Sequence, residues 1–201
     1  MRTKVTLKWL GKMDACRSGV VYYKTLGETN LLKILERCIE DREFDYANWL
    51  LVKCMDYKQS LRYAVYAAES VLYLYENAYH NDNRPRLAIE AVRAVIRRDS
   101  EKNRAAADAA AAAAADAAYD AAYAAAWAAR DAAAYTDDDY AATAAGYAGY
   151  AAADAYHAAA RAAYHAASAA DAAAAYAATD RAARADHMTK ILRHGIKIIN
   201  L

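Results

Sequence analysis

Asp154, His157, Arg161 and His165 are separated by steps of three and four residues, which puts them on one face of an α-helix, and Tyr150 and Ser168 extend the row. An aspartate and a histidine three residues apart can share a proton or a metal ion, so the row admits acid–base or metal chemistry. The competing reading is a solvated or interhelical polar stripe, and the spacing favours it. His157 and His165 are eight residues apart, two turns, and would need a ligand from another helix to meet on one ion. There is no HExxH or ExxH pair. The stripe is therefore expected to form a binding or packing surface, with no metal and no cofactor.

A second set is basic: Arg84, Arg86, Arg93, Arg97 and Arg98, followed by Lys102 and Arg104. Clustered cations of this kind recruit phosphates. Glu90 lies four residues after Arg86 and three before Arg93, and it is expected to neutralise part of the cluster on its own helix. Asp99 and Glu101 dilute the remainder, so a structural or protein-facing role is favoured over nucleic-acid binding. Glu69 stands in the run Tyr63-Ala64-Val65-Tyr66-Ala67-Ala68-Glu69, among residues of core type. A carboxylate there needs a cationic partner, and the Arg84–Arg86 pair is the expected source. Glu69 and Glu90 thus read as structural ion-pair members.

The elements that carry these residues are helical throughout. From Ala105 to Ala185, 49 of 81 residues are alanine, the residue with the highest helix propensity. One helix is expected from about Asn103 to Tyr135. Thr136 and Asp137–Asp139 form a stop-and-restart signal, and a second helix of about 60 Å follows to near Arg184 if unbroken. Gly146 and Gly149 are points where it can bend. Thr143, Asp154, His165 and Tyr176 repeat every eleven residues, a period that keeps the stripe nearly straight. The scarcity of threonine, at 136, 143 and 179 only, excludes an ice-binding face.

The first half has more conventional punctuation. Asp14 is expected to cap a helix Ala15–Leu26 that Gly27 ends, and Thr29 or Asn30 to cap Leu31–Glu40 with its stripe of Leu31, Ile34, Leu35 and Cys38. A further helix contains Phe44 to Cys54. A long one opens near Asp56–Lys58 with Leu61, Ala64, Val65, Ala68 and Leu72 inward. Asn83 with Pro85 in the first turn starts another through Ile89, Val92 and Val95. Met188 to Leu201 reads as a closing amphipathic helix. The fold class is all-α: a multi-helix bundle whose long alanine-rich helices (residues 57–201) pack on an N-terminal short-helix module (residues 1–56).

With 26 Lys+Arg and 25 Asp+Glu in 201 residues, global charge points to no polyanionic partner. Cys16, Cys38 and Cys54 are odd in number and widely spaced, as expected of reduced thiols in a cytoplasmic chain. No leader with an apolar core is visible at the start, and no uncharged run reaches the ~18–20 residues of a membrane span.

Asn83-Arg84-Pro85-Arg86-Leu87-Ala88-Ile89-Glu90-Ala91-Val92-Arg93-Ala94 resembles the Arg-Pro-Arg…Ala-Ile-Glu-Ala signature of the Imm5-like immunity proteins of bacteria and phages. Ala67-Ala68-Glu69-Ser70-Val71-Leu72-Tyr73-Leu74-Tyr75-Glu76 is similar to that family's preceding helix. The resemblance covers roughly residues 46–185. It implies a non-enzymatic inhibitor that binds and blocks another protein, a toxin or a host or defence factor, in the cytoplasm of a bacterial or phage-infected cell. The residues themselves leave two alternatives open, a nucleic-acid-associated helical protein and a small ligand- or metal-binding bundle.

Overall fold

The computed structural model describes residues 3–78, 80–128 and 181–200. Eight helices are seen among them: α1 (Leu7–Lys12), α2 (Arg17–Leu26), α3 (Leu31–Glu40), α4 (Phe44–Cys54), α5 (Tyr57–Ala78), α6 (Arg84–Arg97), α7 (Glu101–Ala128) and α8 (Arg181–Ile199). No strand occurs among the described residues. A single antiparallel bridge, Lys4 with Asn30, ties the start of the chain to the head of α3, flanked by Val5 N donating to Thr29 O at 2.8 Å.

Local chemistry explains where the helices begin. Asn30 caps α3 as expected, its Oδ1 accepting from Lys33 N at 3.2 Å. α5 opens on a reciprocal capping box: Asp56 Oδ1 accepts from Gln59 N at 2.8 Å and Gln59 Oε1 accepts from Asp56 N at 2.9 Å. Gly27 ends α2 in the left-handed region at φ 62°.

Three boundaries differ from expectation: α8 opens at Arg181, seven residues before the expected Met188, and the starts of α2 and α7 also move. α2 is capped by Cys16, whose Sγ accepts from Gly19 N at 3.3 Å, rather than by Asp14. Asp14 instead takes a left-handed turn at φ 55° between α1 and α2, a conformation that Asp tolerates better than most residues. α7 begins at Glu101, two residues before the expected Asn103, because Ser100 Oγ accepts from Asn103 N and pulls the charged connection into its first turn.

One cluster of buried side chains threads the bundle from Val5 and Trp9 in the N-terminal segment to Ile191, Leu192 and Ile199 in α8. Residues on both sides of position 56 contribute to it. α8 joins the two halves by packing on α3, α4 and α5. Its Gly195 is buried against Leu51 of α4 and Tyr63 of α5, whose ring carbon would stand 2.8 Å from an added Cβ. The absence of a side chain lets three helix backbones converge there. Tyr63 is fully buried and its hydroxyl donates to the equally buried Asn48 Oδ1 at 2.9 Å, which satisfies both groups. At the far edge α6 packs on α7, and the alanines that α7 turns inward are Ala107, Ala111 and Ala114, all fully buried. Small side chains permit helix backbones to approach near the lower end of the usual 8–10 Å range.

Candidate functional site

α5 and α6 form an antiparallel hairpin with an exposed outer ridge. The buried side of α6 is Ala88, Ile89, Val92 and Val95. Helical periodicity therefore turns Arg86, Glu90, Arg93 and Arg97 outward, and all four are exposed.

The arginines are paired across helices. Arg93 meets Glu69 at 2.5 Å, and Arg86 holds Glu76 in a two-pronged contact of 2.7 and 2.6 Å. The two pairs are seven residues apart on each helix, so they mark a single register two turns long. Glu69 was expected to pair with Arg84 or Arg86. The register forbids it, because those arginines stand at the turn end of the hairpin, where Asp82 takes Arg84 at 2.6 Å and Glu76 takes Arg86. Glu69 is half-buried rather than enclosed, its side chain 31% exposed. Glu90, expected to neutralise Arg86 and Arg93 along its own helix, acts on Arg86 only as a weaker charge. Charge-assisted contacts across the helices have displaced the within-helix pairs. The Glu76 carboxylate raises the already basic Arg86 guanidinium further.

Between the two ion pairs lies Tyr73, four residues after Glu69 and three before Glu76, with 55% of its surface exposed. Leu87, next to Arg86, is 46% exposed. An exposed tyrosine between two arginine-containing ion pairs has the composition typical of a binding hot spot. Arg97 and Arg98 continue the positive edge toward α7, where Arg104 pairs with Asp99 at 2.6 Å and lowers that carboxyl's pKa.

Behind the ridge, α5 meets α8 through a polar seam that no sequence motif announces. The Tyr66 ring stacks on His194. Ser70 Oγ donates to Ala67 O at 2.6 Å and is 3.3 Å from His187 Nε2. A hydroxyl has one proton, so with that proton on the Ala67 carbonyl Ser70 is left to accept from His187.

Tyr150, Asp154, His157, Arg161 and His165 lie outside the described residues. Among the described residues no group of three metal-ligating side chains occurs, and no helix is long and apolar enough to cross a membrane. Compared with protein-family models, with curated proteins and with solved structures, the chain matches none.

Proposed function

We propose that the protein is a non-enzymatic binding factor that docks another protein on the α5–α6 ridge and blocks it, in the manner of the immunity proteins its sequence resembles. The observation that carries this reading is Tyr73, exposed between the Glu69–Arg93 and Glu76–Arg86 pairs on a rigid helical hairpin. Rigid aromatic and arginine side chains lose little entropy when a partner covers them and recur as binding hot spots. Glu69, Glu76, Arg86 and Arg93, the ion-pair members that frame Tyr73, stand at positions that carry the family resemblance. The expected partner is a toxin or a host or defence factor in the cytoplasm of a bacterial or phage-infected cell.

The pairing of Arg84, Arg86, Arg93 and Arg104 favours a protein partner over nucleic acid. A phosphate would have to displace a carboxylate at each of these positions, whereas a partner protein can cover an ion pair without breaking it. The test is affinity capture from host lysate after nuclease treatment, with the wild type beside a Tyr73→Ala/Leu87→Ala variant. The reading predicts one stoichiometric protein retained by the wild type and lost from the variant. Equal retention by both, or nuclease-sensitive recovery of nucleic acid alone, would contradict it.

A further inference from the structure

The four N-terminal helices enclose a half-open cavity of about 240 Å³ that lies apart from the α5–α6 ridge. Its floor is apolar and buried: Val5, Leu10, Ile34 and Leu50. Its walls include four aromatic rings, Tyr22, Tyr23, Tyr46 and Trp49. Two of the rings are held by their own hydroxyls. Tyr22 donates to Asp41 Oδ2 and Tyr23 to the Val5 carbonyl, each at 2.9 Å, so these walls are set before any ligand arrives. Tyr46 lies against Tyr22 with ring centroids 5.5 Å apart.

The charge at the mouth has one sign. Asp14 and Asp45 are exposed at the cavity's edge, and its lining contains no lysine, arginine or histidine. Cys16 is also at the edge, and hydrogen bonds from Ser18 and from the Gly19 amide lower the pKa of its thiol, which favours further negative charge there. Cys38, deeper in, stays a neutral thiol because burial pushes its pKa up to about 11. Two cations stand outside the lining: Arg17 lines an adjoining shallow groove that shares Tyr22 and Tyr46, and Lys53 lies over the Trp49 ring at 5.8 Å from its centroid, which leaves the tyrosine faces for a ligand.

We propose that this cavity binds a small organic cation, an ammonium group carried on an aromatic or compact apolar body. Aromatic faces attract cations through their quadrupole, the carboxylates complement the charge, and the apolar floor takes the body. Size limits the ligand. A dry apolar cavity of about 150 Å³ accommodates benzene, so this one has room for a single ring and a short amine tail.

Phenethylammonium, 2-phenylethanol and 3-phenylpropionate share one ring on a short chain and differ in the charge of the end group. Calorimetric titration of the full chain should give phenethylammonium a Kd below about 1 mM, the alcohol at least about tenfold weaker binding and the carboxylate none. Asp14→Asn/Asp45→Asn should weaken the ammonium about tenfold and leave the alcohol unchanged; asparagine also tolerates the left-handed backbone at position 14. Gly19→Val, whose first carbon would stand 3.2 Å from Cys16 Sγ and 3.6 Å from the Tyr46 ring, should weaken the ammonium and the alcohol together. Thermal melting of each variant separates lost binding from lost folding. Equal affinity for all three probes, strongest binding by the carboxylate, or no binding of phenethylammonium at about 10 mM would each overturn the proposal.

Discussion

The Tyr66 ring and the His194 imidazole lie face to face, their centroids 3.7 Å apart and their planes within 7°. The stack joins α5 to α8 and helps fix the C-terminal helix on the core. Burial lowers the His194 pKa below its usual 6.5, and the nearby Lys197 charge lowers it further.

This sets the pH response. A histidine whose folded pKa is depressed binds its proton more weakly in the native state than in the unfolded chain. Its contribution is complete above the unfolded pKa of about 6.5 and is lost as pH falls below it. Melting temperature should therefore drop between pH 7 and pH 5, and His194→Phe, which keeps a stacking ring, should flatten that dependence. Because His194 is only half-buried, solvent screening holds the effect under about 1 kcal/mol, or about 2–4 °C for a chain of this size. An unchanged pH profile in His194→Phe would show that the transition is governed elsewhere.

Two glycines in helices should respond to alanine with opposite sign. At Gly11 nothing lies within 4 Å of an added Cβ, so Gly11→Ala should stabilise by about 0.5–1 kcal/mol through helix propensity alone. At Gly195 the same gain is opposed by overlap with Leu51 and Tyr63, both fully buried. Overpacking costs about 1–3 kcal/mol, and the anchoring of Tyr63 by Asn48 puts this site at the upper end. Gly195→Ala should lower the melting temperature by several degrees, and chemical denaturation of both variants checks the pair.

Tyr63→Phe removes the buried hydroxyl that Asn48 accepts from. Leaving that acceptor without its donor should cost about 1–3 kcal/mol, read by urea denaturation. Burial also raises the Tyr63 phenol pKa. A group whose neutral form is favoured in the fold contributes stability below its unfolded pKa of about 10 and loses that contribution as pH rises past it. In the wild type, spectrophotometric titration should place Tyr63 among the tyrosines that ionise only when the chain unfolds, and Tyr63→Phe should remove one tyrosine from that component.

Those relationships mark the boundary of what the sequence discloses. Asn30 before an apolar stripe and Pro85 after Asn83 are local grammar, and α3 and α6 begin where that grammar places them. The apolar face of the closing helix is equally legible, since Ile191, Leu192 and Ile199 recur at helical spacing and all are buried, but its start at Arg181 is not. In α7 periodicity is silent. Ala107, Ala111 and Ala114 are buried while Ala105, Ala106 and Ala109 are exposed, and identical residues carry no phase. Only the packing of α6 decides which face turns inward.

Within the ridge, the outward placement of Arg86, Glu90 and Arg93 follows from the buried stripe of α6. Their partners do not, because the register between α5 and α6 is set by how the two helices pack on the core. The cavity of α1–α4 is hidden for the same reason: Asp14, Tyr23 and Trp49 are far apart in sequence and meet only when four helices close around them. Gly195 shows the limit most plainly, for nothing in its neighbours along the chain indicates that two other helices converge on it.

The most direct test of the central claim is photo-crosslinking from single positions of the full chain in host lysate. A photoreactive phenylalanine replaces Tyr73 on the ridge or, as a control, Val21 on α2, which is equally exposed at 55%. The account predicts one discrete protein adduct from position 73 and none from position 21, with the adduct lost when Arg86 and Arg93 are changed to glutamate. An adduct that forms equally from both positions, or none from position 73, would contradict the assignment of the α5–α6 ridge as the binding surface.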